Sequence, residues 1–462
     1  MKLIQSTSND INKTILLLVT MSANFFNPFM GAAVNVALKK IGTDFSMSAV
    51  GLSWISMSYL LAAAVFLVPL GKLGDTFGRT RLFLYGNILF AVFTLLCGLA
   101  TNASMMIGLR FFQGLAAAMM IATSMALVIS AFPPHERGKV IGLNVSAVYV
   151  GSSIAPMIGG FLTDSVGWRS IFFINAFASI VISLIIVWKL RQEWSELVRE
   201  KFDIKGTVIY MISVSMLMIG FSKLPNIYAT FVTLAGLMGL YLFVKVELKT
   251  TFPVLDMKLF SENRVFAFSN LSALINYAAT FSLSFMLSLY LQYVKGMEAR
   301  EAGLVLIAQP VMMALMASFS GRLSDKKDAR IIAAIGMGLS AIGLLVLSFI
   351  SADTSILYLV IGLVILGTGF GLFSSPNTNV IMSSVDKKVY GTASATLATM
   401  RNTGMMVSMA IASLTIHLML GNAAIDVNNL PQFVLSTKIV FIIFTVLCFA
   451  GVFTSLSRNK GK

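Results

Sequence analysis

Asp75 is the residue whose surroundings most clearly suit it to chemistry. It lies in the stretch Gly71 to Arg81, GKLGDTFGRTR, where Gly78 precedes Arg79 and Arg81 follows. A carboxylate among arginines makes charge-assisted hydrogen bonds that form or break with geometry. The stretch returns in a worn form from Gly321 to Arg330, GRLSDKKDAR, with Asp325 in the equivalent place. Glu136 and Arg137, in another polar segment, are further candidate partners for the first copy. Arg110 and Arg401 stand inside apolar runs, where a guanidinium costs at least ~2.5 kcal/mol unless a cavity or partner receives it. For Arg110 three uses are open: bridging helices through its five donors, contacting a ligand, or tuning a proton site. For Arg401, nearer the end of its run, a side chain reaching back to the membrane interface is the competing reading. Catalytic sets are another matter. The sequence shows no phosphate loop, nucleophile elbow or paired-carboxylate arrangement. His135 and His417 form no metal-ligand cluster, and Cys97 and Cys448 both fall in apolar runs, so no disulfide framework is expected. The expectation is a protein that is not an enzyme and uses no cofactor or metal.

The elements that position these residues are membrane helices. Of 462 residues, 57% are hydrophobic and only 11% charged, too few charges to coat a soluble surface of this size. Fourteen apolar runs of about 20 residues, each long enough for a ~30 Å hydrocarbon core, recur between residues 14 and 456. Most of the 34 Lys and Arg fall in alternate loops, which places both termini on the cytoplasmic side. Basic loops on an anionic inner leaflet account for the net charge of +15, and no nucleic-acid partner is needed. The first apolar run is too long for a cleaved signal peptide and lacks its small-residue cleavage site.

The two loop copies are farther apart than six helices require, and residues 204–264 supply two additional spans. This divides the chain into a six-helix unit (1–203), an inserted pair with its linker (204–264) and a second six-helix unit (265–462). Other segments agree in order: GLRFFQGLAAA (108–118), GSSIAPMIGG (151–160), TDSVGWRSIFFIN (163–175), PVLDMKLF (253–260) and RNTGMMVSMA (401–410). Together they resemble the fourteen-helix drug:proton antiporter branch of the major facilitator superfamily, over nearly the whole chain. The resemblance implies an all-α membrane fold of two parallel halves that rock about a central site. It implies a conformational latch at Gly71, Asp75, Gly78, Arg79, Arg81, Glu136, Arg137 and Asp325. It also implies a tight, kinked seam at Gly151, Pro156, Gly159 and Gly160, with Ala155 where the family has Gly. Substrate or coupling candidates are Asn35, Arg110, Gln113, Asp164, Asn175, Gln309 and Arg401.

Helix one departs from the branch. The usual Asp ahead of an Asn-Val-Ala-Leu-Pro stretch is missing: Met30 stands there, and the stretch reads Asn35-Val36-Ala37-Leu38-Lys39. None of the 19 acidic residues falls in the middle of a span; Asp164, Glu247 and Asp75 come nearest, at helix ends. A cavity with embedded arginines and no carboxylate favours neutral or anionic compounds over lipophilic cations. The reading is therefore a monomeric secondary transporter in a prokaryotic cytoplasmic membrane, exporting small amphipathic molecules, with proton antiport implied by the resemblance. A transporter or uniporter of one anionic or neutral metabolite is the alternative, and a non-transporting sensor or scaffold is the alternative of another class.

Overall fold

Helices begin where the sequence supplies a cap. In a computed structural model, which describes residues 2–133, 136–190, 202–251, 253–324, 326–386 and 390–457, side chains of Ser48, Asn102, Asp203, Asn226, Asn263, Asp328 and Ser355 each accept a backbone N–H in the first turn of the following helix. Each bond satisfies a donor the helix itself leaves open. Among the described residues, 14 helices are long and apolar enough to cross a bilayer. They are α1 (Asn12–Asp44), α2 (Ala49–Phe77), α3 (Arg79–Gly98), α4 (Ala103–Ala131), α5 (Val140–Ser165), α6 (Arg169–Lys189), α7 (Ile204–Ser222), α8 (Ile227–Glu247), α9 (Arg264–Val294), α10 (Ala299–Ser324), α11 (Ala329–Ser348), α12 (Ile356–Ser383), α13 (Thr392–Leu420) and α14 (Leu430–Leu456).

The helices pack as a repeated set. In the first half α1 lies on α5 and α6, α4 on α2 and α3, and α3 on α6; in the second, α9 lies on α13 and α14, α12 on α10 and α11, and α11 on α14. The halves meet through α2 with α13, α5 with α10, and α1 with α9. The inserted α7 and α8 pack mainly on each other, with α7 also touching α2 and α13. Leu237, Met238 and Tyr241 of α8 are exposed, as a lipid-facing surface requires.

Two features go beyond the hydropathy reading. The apolar run of α1 fades near residue 37, yet the helix continues to Asp44, because hydrophobicity marks the bilayer core and says little about where hydrogen bonding ends. α9 breaks at Phe281–Ser282 and ends in a π-helical turn, Tyr290–Val294. The break is satisfied from outside: Ser408 of α13 accepts the Ser282 N–H at 3.0 Å.

Candidate functional site

Arg110 is 1% exposed and its guanidinium is held within the first half. Its Nε donates to the Ile55 carbonyl at 3.1 Å, and its Nη1 donates to Gln113 Oε1. Gln113 passes its own N–H to Thr94 at 2.6 Å. The guanidinium lies 4.5 Å from the Tyr59 ring centre, and the Tyr59 hydroxyl donates to Asn27. One cation thus ties α1, α2, α3 and α4 together, held by a carbonyl, an amide and an aromatic face. Of the uses open to it, the structure realises bridging.

Arg401 lies in a different setting. On α13 it turns inward, donating from Nη2 to Thr378 Oγ1 of α12 at 2.8 Å, with the Tyr277 ring of α9 5.6 Å away. It does not reach back to the interface. Its Nε is buried and has no hydrogen-bond partner. Tyr277 stacks edge-on against Phe370 at 5.2 Å. Tyr149 of α5 and Ser374 of α12 share a hydrogen bond at 2.8 Å, joining the halves beside this group. On the first half's side, Asn24 donates to Ser124 and to Asn144, each at 3.0 Å. Arg401 Nε is thus a spare donor beside Tyr277, near the Tyr149–Ser374 bond that crosses between the halves.

The remaining candidates seal one end. Asp164 accepts the Arg300 N–H at 2.7 Å, joining the end of α5 to the first turn of α10. There it complements a helix N-terminus, away from Arg110 and Arg401. Asn35 accepts from Ser56 through its side chain and from Ser288 through its carbonyl. Lys39 donates to the Gln292 carbonyl at 2.7 Å, and Gln292 donates to Val36 at 2.9 Å. Ser53 meets Ser413, and Ala49 donates to Ala423. The glycines explain how closely the helices approach. A Cβ on Gly151 would collide with the Phe25 carbonyl, one on Gly159 with Ala33, and one on Gly160 with the Ala299 carbonyl. Pro156, inside α5, has its own carbonyl where a Cβ on Gly303 would go. Asn175 donates to Phe26 at 3.1 Å, and the Gln309 backbone lies against Gly367; neither touches Arg401.

In the loop motif, Asp75 pairs with Arg79 at 2.7 Å, and Arg79 reaches on to Ser130 of α4 at 2.9 Å. Gly78, at φ 114°, makes the turn between α2 and α3, a conformation in which a side chain is strained. Gly71 has open space above its Cα. Arg81 and Glu136 are exposed, and Arg137 donates to the Phe132 carbonyl. Asp325 lies outside the described residues, as does His135. Beside Asp325, Asp328 caps α11 and binds Arg330 at 2.7 Å, which holds its carboxyl below the usual carboxylate range.

Residues 20–409 and 270–458 match the family model of the Major Facilitator Superfamily. The chain belongs to that superfamily. It is 30% identical to the riboflavin transporter RibZ of Clostridioides difficile (strain 630), over 87% of this chain and 88% of that one. It is 31% identical to the multidrug resistance protein Stp of Mycobacterium tuberculosis (strain ATCC 25618 / H37Rv), over 87% and 76%. Among solved structures, a bacterial homolog to the human lysosomal transporter Spinster, inward-facing and unoccupied, superposes with a TM-score of 0.69 at 17% identity, covering 97% of this chain and 99% of that one. The superfamily fold, fourteen spans and a transporter class follow; a fourteen-helix antiporter branch is consistent with them.

Within this superfamily member two sequence expectations change. Met30 has no exposed surface and sits in the packed core, so the position does not face an open cavity in this conformation. A carboxylate pair also exists after all. Asp203 and Glu247, 44 positions apart in the chain and invisible as a motif, meet at the adjoining ends of α7 and α8. Tyr59, Tyr149 and Tyr277 were equally hidden, because tyrosine in an apolar run carries no spacing signal that separates packing from recognition.

Proposed function

We propose that the protein exports small amphipathic compounds, uncharged or anionic, across a prokaryotic cell membrane by alternating access coupled to protons. The observation that carries the reading is Arg401, whose buried Nε has no partner, between two tyrosines at the junction of the halves. Every described acidic residue lies outside the fourteen spans or within a turn of a span's end, so nothing neutralises that cation from the neighbouring helices. A ligand carboxylate, or the carbonyls of a flat uncharged ring system, supplies the missing acceptor. The relatives support a transporter of this breadth, one being a riboflavin transporter and the other a multidrug resistance protein. The division into units 1–203, 204–264 and 265–462 supplies the moving parts.

Orientation follows from the loops. With basic loops inside, both termini are cytoplasmic, the sealed end faces outward, and the loop motif of Asp75 lies at the inner end. Asp75 paired within its own half, as here, is the released position of a latch that closes the inner side when the outer side opens. The test is flux in proteoliposomes with size-matched uncharged, anionic and quaternary ammonium compounds, with and without an imposed pH gradient. Uptake of the first two classes that rises with the gradient is expected. Best transport of the quaternary cations would overturn the substrate assignment, and indifference to the gradient would overturn coupling.

A further inference from the structure

The ends of the inserted helices hold two carboxyls in an unusual relation. Asp203 caps α7, with Oδ1 accepting the Gly206 N–H at 2.9 Å. Glu247 ends α8, is 1% exposed, and accepts the Leu255 N–H through Oε2 at 3.1 Å. The other oxygen of each, Asp203 Oδ2 and Glu247 Oε1, is buried without a donor. A Cβ on Gly206 would collide with both, so the two oxygens converge on one spot, well inside the about 4–6 Å over which like charges alter each other's protonation. Two buried acceptors in contact, each lacking a donor, are satisfied together by a single hydrogen between them.

We propose that Asp203 and Glu247 form a proton-binding site, holding one proton between Asp203 Oδ2 and Glu247 Oε1, whose loss releases the strap 253–257 from the end of α8. The strap leads through a short helix, Lys258–Glu262, into α9, which carries Tyr277. Deprotonation leaves two buried negative charges side by side. They are relieved by separating α7 from α8 at this end, which carries off the acceptor for Leu255. The charged group facing Glu247 is Asp203. On the same helices Lys205 and Lys245 are exposed, as is Lys249 in the turn after α8, with Lys245 lying over Tyr241. On the strap and the short helix after it, Asp256 accepts the Lys258 N–H and Lys258 is exposed. On the helices packed against α7, Asp75 of α2 is held by Arg79, Lys72 lies on α2 in the same loop motif, and Arg401 of α13 binds Thr378.

The site lies away from the central one, and its test needs no substrate. The full chain in lipid nanodiscs would be followed across pH by infrared absorption of protonated carboxyls and by hydrogen exchange at residues 248–263. In the wild type a carboxyl band and strong protection at low pH should be lost together as pH rises, the protection factor, taken relative to the intrinsic exchange rate at each pH, falling at least about tenfold. Glu247→Gln keeps an acceptor for Leu255 and presents an N–H to Asp203, so it should lack the band and keep the strap protected at every pH. Asp203→Asn, which presents its amide to Glu247, should likewise flatten the pH response. Wild-type pH dependence persisting in both variants would overturn the proposal. Fast exchange at all pH in both would overturn it too, showing the carboxyls to be shape-fitting groups only.

Discussion

Two arginines in apolar helices are doing different jobs, and their partners tell them apart. Arg110 spends its donors on Ile55 and Gln113 and its face on Tyr59, whereas Arg401 keeps Nε unpaired. Removing the first leaves Gln113 Oε1 buried without its donor, a loss of ~1–3 kcal/mol. Arg110→Ala should therefore lower thermal stability and cut transport by about tenfold or more, tenfold being about 1.4 kcal/mol of barrier. Arg110→Lys should recover only part, since a point charge cannot reach a carbonyl, an amide and a ring face as a planar fork does. Melting curves beside initial flux rates would check this, and an alanine variant with wild-type values for both would refute the bridging role. The arginines themselves were legible in the sequence, because charge inside an apolar run is rare. Their division of labour was not, since it depends on Tyr59 and Tyr277, which come from other helices.

At the scale of elements, the seam and the loop motif are predicted to fail in opposite ways. Gly160 is in contact with the Ala299 carbonyl across the halves, so Gly160→Val should wedge α5 from α10 and leave the sealed end open. Thiol labelling of a cysteine replacing Ser53, which has 0% exposure where α2 meets α13, should quicken by about tenfold in that variant; unchanged labelling would show that the seam tolerates the bulk. Asp75→Asn should leave the seam and ligand binding intact while slowing transport by about tenfold or more, because an amide cannot anchor Arg79 or its exchange partners as a carboxylate does. Wild-type flux in Asp75→Asn would remove the latch assignment. The spans and both motifs could be read from hydropathy and glycine spacing, because a bilayer leaves a helix little choice. What could not be read is the length of α1 beyond residue 37, the break in α9 at Ser282, and the meeting of Asp203 with Glu247. The break and the meeting are each decided by a partner far away in sequence, Ser408 and the α8 end, while the last turns of α1 lie where hydropathy no longer reports the helix.

On the scale of the whole molecule, two repeated six-helix sets are sealed at one end by Asp164, Asn35, Lys39 and Gln292 and meet around Arg401 in the interior. Selection of what is carried is proposed to rest on this cation, whose Nε has no partner. That role is tested most directly by competitive counterflow in proteoliposomes, with an anionic and a quaternary ammonium amphiphile of matched size, in the wild type and in Arg401→Gln. The wild type should favour the anion by about tenfold or more, roughly the worth of one charge-assisted hydrogen bond, and Arg401→Gln should erase most of that preference while still exchanging an uncharged analogue. Equal or better exchange of the cation by the wild type, unaltered in Arg401→Gln, would contradict the claim.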